Sequence, residues 1–484
     1  MSTDLLLVNP LFLRRDPVEY ELMTPYFPLG LLYLAATARQ TGYTVQIFDC
    51  MFRDDVDEFA RALDQIRPRV VGLGILSTVR AMADELIAVA LSKGYPVLVG
   101  GSDPTARPQS YLDRQEGTIV AVIGEGEETL LELLPALLEQ PKAQPLSDIA
   151  GIAYRDKEGQ IVRTPPRALR KTVDQIPFPA RDLIDIEAYR RAWQSKHDVF
   201  SLSVIASRGC PYRCAWCQKS VFGRSFRLRS PEDVAEEMRQ IKETYHPDML
   251  RIVDDVTGID RDWVRRWRDA LLEQDAAIPF ECLSRVDLVD WEMLTWLKEA
   301  GCKRISFGAE SGSQQVLDAM TKGTRVEQIY RAAELCHELD IELYFFIMVG
   351  YPGEGWADIL ATANLLRETM PDTFSSTIAY PLQGTPFYEQ VKDRLIEDHD
   401  WTHTAENRVL YRGEYSTRFY RWVQRWFRQE WRWARIRSGR EPAGMSTRLR
   451  VWAARIVSKT VVRILRYTPP DARVVPVSAP GHGT

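Results

Sequence analysis

Two series of apolar runs alternating with amphipathic stretches, split by a proline-marked joint, predict an α/β protein with two parallel-strand domains. In the first series, strands fall at residues 5–8, 45–48, 70–75, 97–99 and 119–123, with helices at 28–41, 57–66 and 81–93. Short, uniformly apolar strands suit a sheet covered on both faces, so a doubly wound, Rossmann-like sheet is expected. The second series places strands at 201–206, 249–253, 280–283, 304–307, 343–349 and 375–379. Its helices fall at 231–245, 261–273, 291–299, 313–320, 326–339 and 356–368. Six β/α units predict a partial barrel, (β/α)6 rather than eight.

The chain then divides into a doubly wound domain (1–145), a hairpin and linker (146–198), a barrel (199–389) and a helical C-terminal region (390–484). The hairpin reading rests on Glu158-Gly159 in the middle of 151–162, and the joint on the prolines of 164–166 and 176–181. A length of 484 residues suits two or three domains, and 45% hydrophobic with 27% charged residues is ordinary for a globular chain. The net charge of −5 gives no general argument for nucleic acid. With 7 cysteines, three of them clustered, a reducing cytoplasm is expected rather than a disulfide scaffold. No apolar run is long enough to span a bilayer, and the first ten residues read as a buried strand, not a signal peptide.

The chemistry gathers after the first barrel strand, in Ser207-Arg208-Gly209-Cys210-Pro211-Tyr212-Arg213-Cys214-Ala215-Trp216-Cys217. Three thiols at C-x3-C-x2-C can aim their sulfurs at one metal or iron–sulfur centre. The other cysteines (Cys50, Cys282, Cys302, Cys336) form no second cluster, so one iron of a [4Fe–4S] cube is left without a protein ligand. A zinc knuckle is the alternative, but zinc ligands usually come as two separated pairs. Polar or glycine motifs follow the later barrel strands as well: Asp254-Asp255, Arg285, Gly308-Ala309-Glu310-Ser311-Gly312, Gly350-Tyr351-Pro352-Gly353-Glu354, Tyr380 and Gln383-Gly384.

With Trp216 just before its last cysteine, the triplet resembles the signature of the radical S-adenosylmethionine (SAM) superfamily. That resemblance implies that Cys210, Cys214 and Cys217 are the catalytic cluster ligands and that SAM chelates the open iron. It places Trp216 near the adenine and Arg285 as a bidentate fork on the SAM carboxylate. Glu310 and Ser311 resemble the positions that hold the amine or the ribose, Asp254 or Asp255 orders the loop or binds SAM, and Gly308, Gly350 and Gly353 admit its backbone contacts. Tyr380 and Gln383, at the barrel mouth, are candidate substrate contacts.

In the first domain, the strand ends carry Asn9-Pro10, Ser77-Thr78, Gly100-Gly101-Ser102-Asp103-Pro104-Thr105 and Gly124-Glu125-Gly126-Glu127. No G-x-G-x-x-G follows the first strand, which argues against a dinucleotide. With Pro28-Leu29-Gly30-Leu31, these stretches resemble the cobalamin-binding domain found upstream of many radical SAM barrels. Asn9, Pro28, Gly30, Ser77, Thr78, Gly100, Gly101, Asp103, Pro104, Thr105, Gly124, Glu125 and Gly126 are the implied contacts. The D-x-H-x-x-G signature is missing, and no histidine precedes His197. A cobalamin without a histidine lower ligand is therefore expected, its lower face covered by the loop around Ser77 or Asp103. The alternative is a domain that keeps the fold without the cofactor.

The resemblance implies a cobalamin-dependent radical SAM methyltransferase. In such enzymes a 5′-deoxyadenosyl radical activates an unactivated carbon (or a phosphinate) of a small biosynthetic intermediate, and methylcobalamin supplies the methyl group. The alternative of another class is cyclisation or oxidative rearrangement, as in the anaerobic cyclase of chlorophyll pathways. A methylthiotransferase would need a second three-cysteine cluster, and the first domain has only Cys50. A non-catalytic cobalamin-binding protein would have no use for the triplet. The implied partners are a small-molecule substrate and an electron donor such as flavodoxin or ferredoxin; no RNA-binding module is evident. In the C-terminal region Phe419, Trp422, Trp426 and Trp433 recur at helical spacing among arginines, and a second basic helix is expected at 447–467. Packing of these aromatics on the barrel is the favoured reading, and peripheral membrane contact is the other. Residues 474–484 read as a disordered tail.

Overall fold

The computed structural model describes residues 3–113, 117–138, 144–219, 221–397 and 410–471. These fall into two compact units: the first gathers residues up to 211 with 219–251, and the second gathers 212–218, 252–397 and 410–471.

In the first unit every residue of β1 (Leu5–Asn9) is buried. β2 (Val45–Asp49) and β3 (Val70–Gly74) flank it in parallel, with Leu5 opposite Val45 on one side and Val70 on the other. β4 (Val97–Gly100) and β5 (Ile119–Val122) continue the parallel sheet. Helices Leu29–Gln40, Val56–Ile66, Arg80–Ser92 and Glu127–Leu138 supply its cover. Leu31, Ala35, Leu130 and Leu133 pack with Leu5, Val70, Leu98 and Val120 in one core. All five strands and three helices read from the apolar pattern are present, with ends displaced by two residues at most.

The sheet has seven strands, because β6 (Ile152–Arg155) and β7 (Ile161–Arg163) join it antiparallel, in the order β2-β1-β3-β4-β5-β6-β7. The hairpin assigned by sequence to a linker is therefore the edge of the first sheet. It covers the open edge of β5, which would otherwise expose unpaired backbone groups. A helix, Ile186–His197, also occupies what the sequence reads as linker. Asp185 caps it by accepting from the Ala188 N–H, and Ile186, Tyr189 and Trp193 bury along one face. The Tyr189 hydroxyl donates to Asp49 Oδ2 (2.7 Å) and the Trp193 indole to the Pro25 carbonyl (2.9 Å), tying the helix to the doubly wound part of the unit.

Further along, β8 (Ser201–Val204) leads into a two-stranded antiparallel ribbon of β9 (Ser207–Arg208) and β10 (Arg227–Leu228). β11 (Met249–Ile252) follows helix Pro231–Tyr245. β12 (Phe280–Ser284), β13 (Cys302–Glu310), β14 (Glu342–Val349) and β15 (Thr373–Ile378) pair in parallel in chain order. Helices Arg261–Glu273, Trp291–Glu299, Val326–Glu338 and Trp356–Thr369 alternate with these strands, the first two capped by Asp260 and Asp290. Ile305, Phe307, Leu343 and Phe345 are fully buried on the central strands. Six strands alternating with helices give the expected partial (β/α)6 architecture.

Two long helices close the described chain, Thr417–Ser438 and Met445–Leu465. Ser416 caps the first and Gly439, at φ +83, ends it. Phe419 and Trp426 are buried, and the Trp426 ring stacks 5.9 Å from Trp356; Trp422 and Trp433 are half-buried. The first helix thus packs as the aromatic spacing predicts. The tail at 474–484 lies outside the described residues. No helix among them is long and apolar enough to cross a membrane.

Candidate active site

Loops after β3, β4 and β5 converge into a crest in the first unit. Gly101, at φ +109, brings β4 against the chain leaving β3, and a Cβ there would stand 2.5 Å from the Ile75 carbonyl. The Ile75 N–H donates to the Gly100 carbonyl (2.7 Å) and the Gly124 N–H to Thr105 Oγ1 (3.1 Å). Ser77, Gly100, Gly101, Thr105 and Gly124 are therefore brought together, with Thr78 beside Ser77 and Pro104 buried beside Thr105. Pro28 and Gly30 start helix Leu29–Gln40, whose Leu34 lies under Gly126. A cavity of about 240 Å³ opens beside Thr105, Gly124 and Glu125, lined also by Arg163, Arg167 and Arg170.

Three polar side chains assigned to a cofactor by sequence make hydrogen bonds or ion pairs inside the protein. Asp103 is fully buried: Oδ1 accepts from Ser77 Oγ (3.0 Å) and Arg107 (2.7 Å), while Oδ2 accepts from Tyr111 (2.6 Å) and pairs with Arg80 (3.2 Å). These partners outweigh the cost of burial and hold its carboxyl below the usual range. Asp103 thus fixes Ser77 and has no free oxygen for a metal. Asn9 donates to Asp49 Oδ1 (2.8 Å). Glu125 pairs with Arg208 (3.0 Å) and with Arg227. What the crest leaves for a ligand is backbone, glycine surface and hydroxyls.

Arg208 also pairs with Glu127 (2.6 Å), so two buried carboxylates grip the residue two positions before Cys210. Gly209, at φ +81, passes so close to the Ser225 carbonyl that no side chain fits there. The Lys219 ammonium donates to the Cys210 carbonyl (3.0 Å). Cys210 is buried and Cys214 and Cys217 are half-buried. Among the described residues no three metal-ligating side chains already stand at ligand distance, so the donor set rests on the spacing of the thiols in one loop. Burial pushes the thiol of Cys50 up and that of Cys336 up to about 12, and a hydrogen bond with Cys282 together with burial raises that of Cys302, which marks these as inert core residues. Cys282 is buried among them.

In the second unit the cysteine loop is hung from the end of helix Gln314–Ala319 and the start of helix Pro386–Val391: the Ala215 N–H donates to the Met320 carbonyl (2.9 Å), and the Phe387 N–H to the Ala215 carbonyl (3.0 Å). Trp216 packs on the cluster of Met320, Met348, Tyr351 and Phe387. Arg285, 4% exposed, is not a free fork. Its Nε and one terminal nitrogen chelate Asp287 (2.9 and 3.0 Å), and the latter also reaches the Lys322 carbonyl (2.9 Å). Its other terminal nitrogen lies 4.0 Å from Cys214 Sγ, and Tyr212 lies flat against the guanidinium at 3.7 Å. Asp287, two residues on, was the missed signal.

A bulge in β13 between Gly308 and Glu310, with Glu310 at φ +60, turns the Glu310 carboxylate onto the Lys322 ammonium (3.0 Å). A Cβ at Gly308 would overlap both partners at 2.5 Å, so that glycine makes room for the ion pair. Lys322, which the sequence reading did not single out, also stands 5.7 Å over the Trp216 ring. Ser311 is fully buried: its hydroxyl meets Thr362 (3.1 Å) and accepts from the Ser313 N–H. Asp254 is buried and Asp255 exposed. Tyr380 is half-buried, and the Gln383 carbonyl accepts from Gln218 (3.2 Å), one residue beyond Cys217.

After β14 the Gly350 loop is held from both sides. Its N–H donates to Glu354 Oε2 (2.5 Å) and its carbonyl accepts from the Tyr411 hydroxyl (2.5 Å). Tyr420 lies against Gly350, leaving 3.1 Å to any Cβ, while Gly353 is exposed. Glu354 is fully buried and pushed up to about 8 by burial, with the Gly350 N–H opposing and Asp358 adding to the rise. Burial thus favours its protonated form. Tyr351 is likewise pushed up by burial to about 12.

A three-cysteine loop after the first strand of a six-unit β/α series, with basic and glycine-bearing loops after later strands, defines a radical SAM enzyme. Residues 204–366 match the radical SAM superfamily and 21–134 the B12 binding domain. An uncharacterized methyltransferase of Pyrococcus horikoshii is 30% identical over 383 residues, 77% of this chain and 80% of that protein. An anaerobic magnesium-protoporphyrin IX monomethyl ester cyclase of Rubrivivax gelatinosus is 25% identical over 76% of this chain and 67% of its own. Among solved structures, the cobalamin-dependent SAM radical enzyme OxsB, with aqua-cobalamin and SAM bound, superposes with TM-score 0.75 at 19% identity, covering 96% of this chain and 72% of that one. The chain belongs to the radical SAM enzymes that carry a cobalamin-binding domain, and the cofactors of that family are a [4Fe–4S] cluster, SAM and cobalamin.

Proposed function

We propose that this protein is a cobalamin-dependent radical SAM methyltransferase acting on an unactivated carbon, or a phosphinate, of a small molecule. The observation that supports methyl transfer most is the 30% identity, across 80% of that relative's length, to the uncharacterized methyltransferase of P. horikoshii. When bound, the cluster and SAM supply a radical by one-electron cleavage, and the corrinoid supplies a methyl carrier.

The residues present fit these groups. Cys210, Cys214 and Cys217 give three thiolates and no fourth. The Arg285 nitrogen beside Cys214 and the Lys322–Glu310 pair offer charge to a zwitterion beside Cys214 and Trp216. Gly350 and Gly353 offer backbone to an adenine, with Glu354 and Tyr411 holding the loop still. Asp254 and Asp255 remain candidates for the same ligand. In the first unit, the hydroxyls of Ser77, Thr78 and Thr105 and the glycines at 100, 101, 124 and 126 suit a broad macrocycle, with Pro28 and Gly30 at its margin. No histidine precedes His197 and the Asp103 oxygens are engaged by Ser77, Arg107, Tyr111 and Arg80, so neither a histidine of the first domain nor Asp103 would serve a bound corrinoid as a lower ligand. Tyr380 and Gln383 are proposed substrate contacts, and a flavodoxin or ferredoxin the electron source.

Cyclisation is the second reading, favoured by the 25% identity to the R. gelatinosus cyclase. Incubation of the reduced, reconstituted enzyme with SAM separates the two. A methyltransferase would use two SAM molecules, one leaving as S-adenosylhomocysteine after giving up its methyl group and one, cleaved by an electron, as methionine and 5′-deoxyadenosine. 5′-Deoxyadenosine without S-adenosylhomocysteine contradicts the methyltransferase reading and supports the cyclase.

A further inference from the structure

The last described helix is built unlike the others. On Met445–Leu465, Val451, Ser458, Val462 and Leu465 form the buried face. The opposite face is not polar. Met445, Leu449, Trp452 and Ile456 follow one another at helical spacing and are 83%, 63%, 44% and 44% exposed, with Ile464 and Tyr467 exposed beyond them. Contiguous exposed apolar side chains on this scale mark a contact surface rather than ordinary scatter.

Charge decides what kind. No aspartate or glutamate occurs from 442 to 470, whereas Arg448, Arg450, Arg455, Lys459, Arg463 and Arg466 do. Arg455 is committed to Glu430 (2.7 Å), and Lys459 and Arg466 lie over the rings of Trp426 and Trp356. Arg448, Arg450 and Arg463 are exposed and pair with no carboxylate among the described residues. The result is an apolar stripe bearing unneutralised cations, on a helix that does not cross a membrane. A helix of this composition lies flat in a bilayer interface, its apolar stripe in the acyl boundary and its arginines on anionic headgroups.

We propose that the exposed face of helix Met445–Leu465 docks the enzyme peripherally on an anionic lipid surface. A partner that is apolar at the centre and negative at the rim satisfies both features together. Nucleic acid answers only the charge, and a second copy of the same basic face would oppose cation to cation.

The test is flotation of the full-length reconstituted enzyme with vesicles of phosphatidylcholine alone or of phosphatidylcholine and phosphatidylglycerol in equal parts. Recovery with the anionic vesicles, absent with the neutral ones and weakened by salt, is expected. Leu449→Glu with Ile456→Glu, and separately Arg448→Glu with Arg463→Glu, should each weaken it roughly tenfold or more while iron and corrinoid contents stay unchanged. Equal recovery of wild type and both variants, or no recovery with anionic vesicles, overturns the proposal. It is overturned too by a concentration-dependent dimer that the same variants dissolve, by binding to nucleic acid without binding to vesicles, or by vesicle binding that appears only once residues 472–484 are removed.

Discussion

The crest of the first unit and the strand ends of the second both follow parallel strands, yet they treat charge differently. In the crest, Asp103 is closed by Arg80 and Arg107, and Glu125 by Arg208 and Arg227. Glycine backbone and hydroxyls are what remain. In the second unit, Arg285 keeps one terminal nitrogen toward Cys214, and Lys322 keeps its ammonium over Trp216 while paired to Glu310. One surface suits a broad ligand held by shape and backbone, the other a small zwitterion held by charge. The same β/α rule thus builds two different surroundings: ion pairs are made in both, but in the second unit the paired cations also stand beside Cys214 and Trp216.

The sharpest separation of the two comes from the cysteines. Cys214→Ala should remove cluster iron and lower 5′-deoxyadenosine formation by orders of magnitude while corrinoid uptake, read from the absorption spectrum, is unchanged. Next in size, Arg208→Met leaves Glu125 and Glu127 buried without a shared partner. About 3–5 kcal/mol of stability should be lost, measurable by urea unfolding, with corrinoid retention falling alongside it. Lys322→Met acts only on the second surface. It should raise the KM for SAM by roughly tenfold, the loss of one charge-assisted hydrogen bond, and leave corrinoid binding alone.

A further effect is one of pH. Glu354 holds its proton up to about pH 8 in the folded chain and, by its ordinary value of 4.5, releases it when unfolded. Between those values the folded state binds the extra proton, so stability falls as pH rises, by up to about 1.4 kcal/mol per unit, and levels off above 8. Glu354→Gln should flatten that slope in thermal denaturation across pH 5–8; an unchanged slope would show that the carboxyl ionises freely.

Much of this was readable in the chain. Both strand series and the cysteine loop carry strong local signals: runs of Val, Leu and Ile with period two or none, and three thiols in one turn. What escaped depends on partners distant in sequence. Helix Ile186–His197 offers only Ile186, Tyr189 and Trp193 as apolar marks in a polar stretch and takes its stability from Asp49 and Pro25. Arg285 looked like a free fork because Asp287 reads equally well as a solvated loop acid. Ser311 and Asp103 are polar residues after strand ends, and their burial against Thr362 and Arg107 depends on partners the local sequence does not mark. Lys322 became visible only once β13 bulged to present Glu310.

The most direct test of the account is metal analysis of the anaerobically reconstituted protein and of its Cys210→Ala, Cys214→Ala, Cys217→Ala triple variant, supplied with iron, sulfide and cobalamin. The wild type should carry about four irons and bound cobalt per chain, and the triple variant should lose the iron and keep the cobalt. Zinc in place of iron, or 5′-deoxyadenosine production that survives in the triple variant, would contradict it.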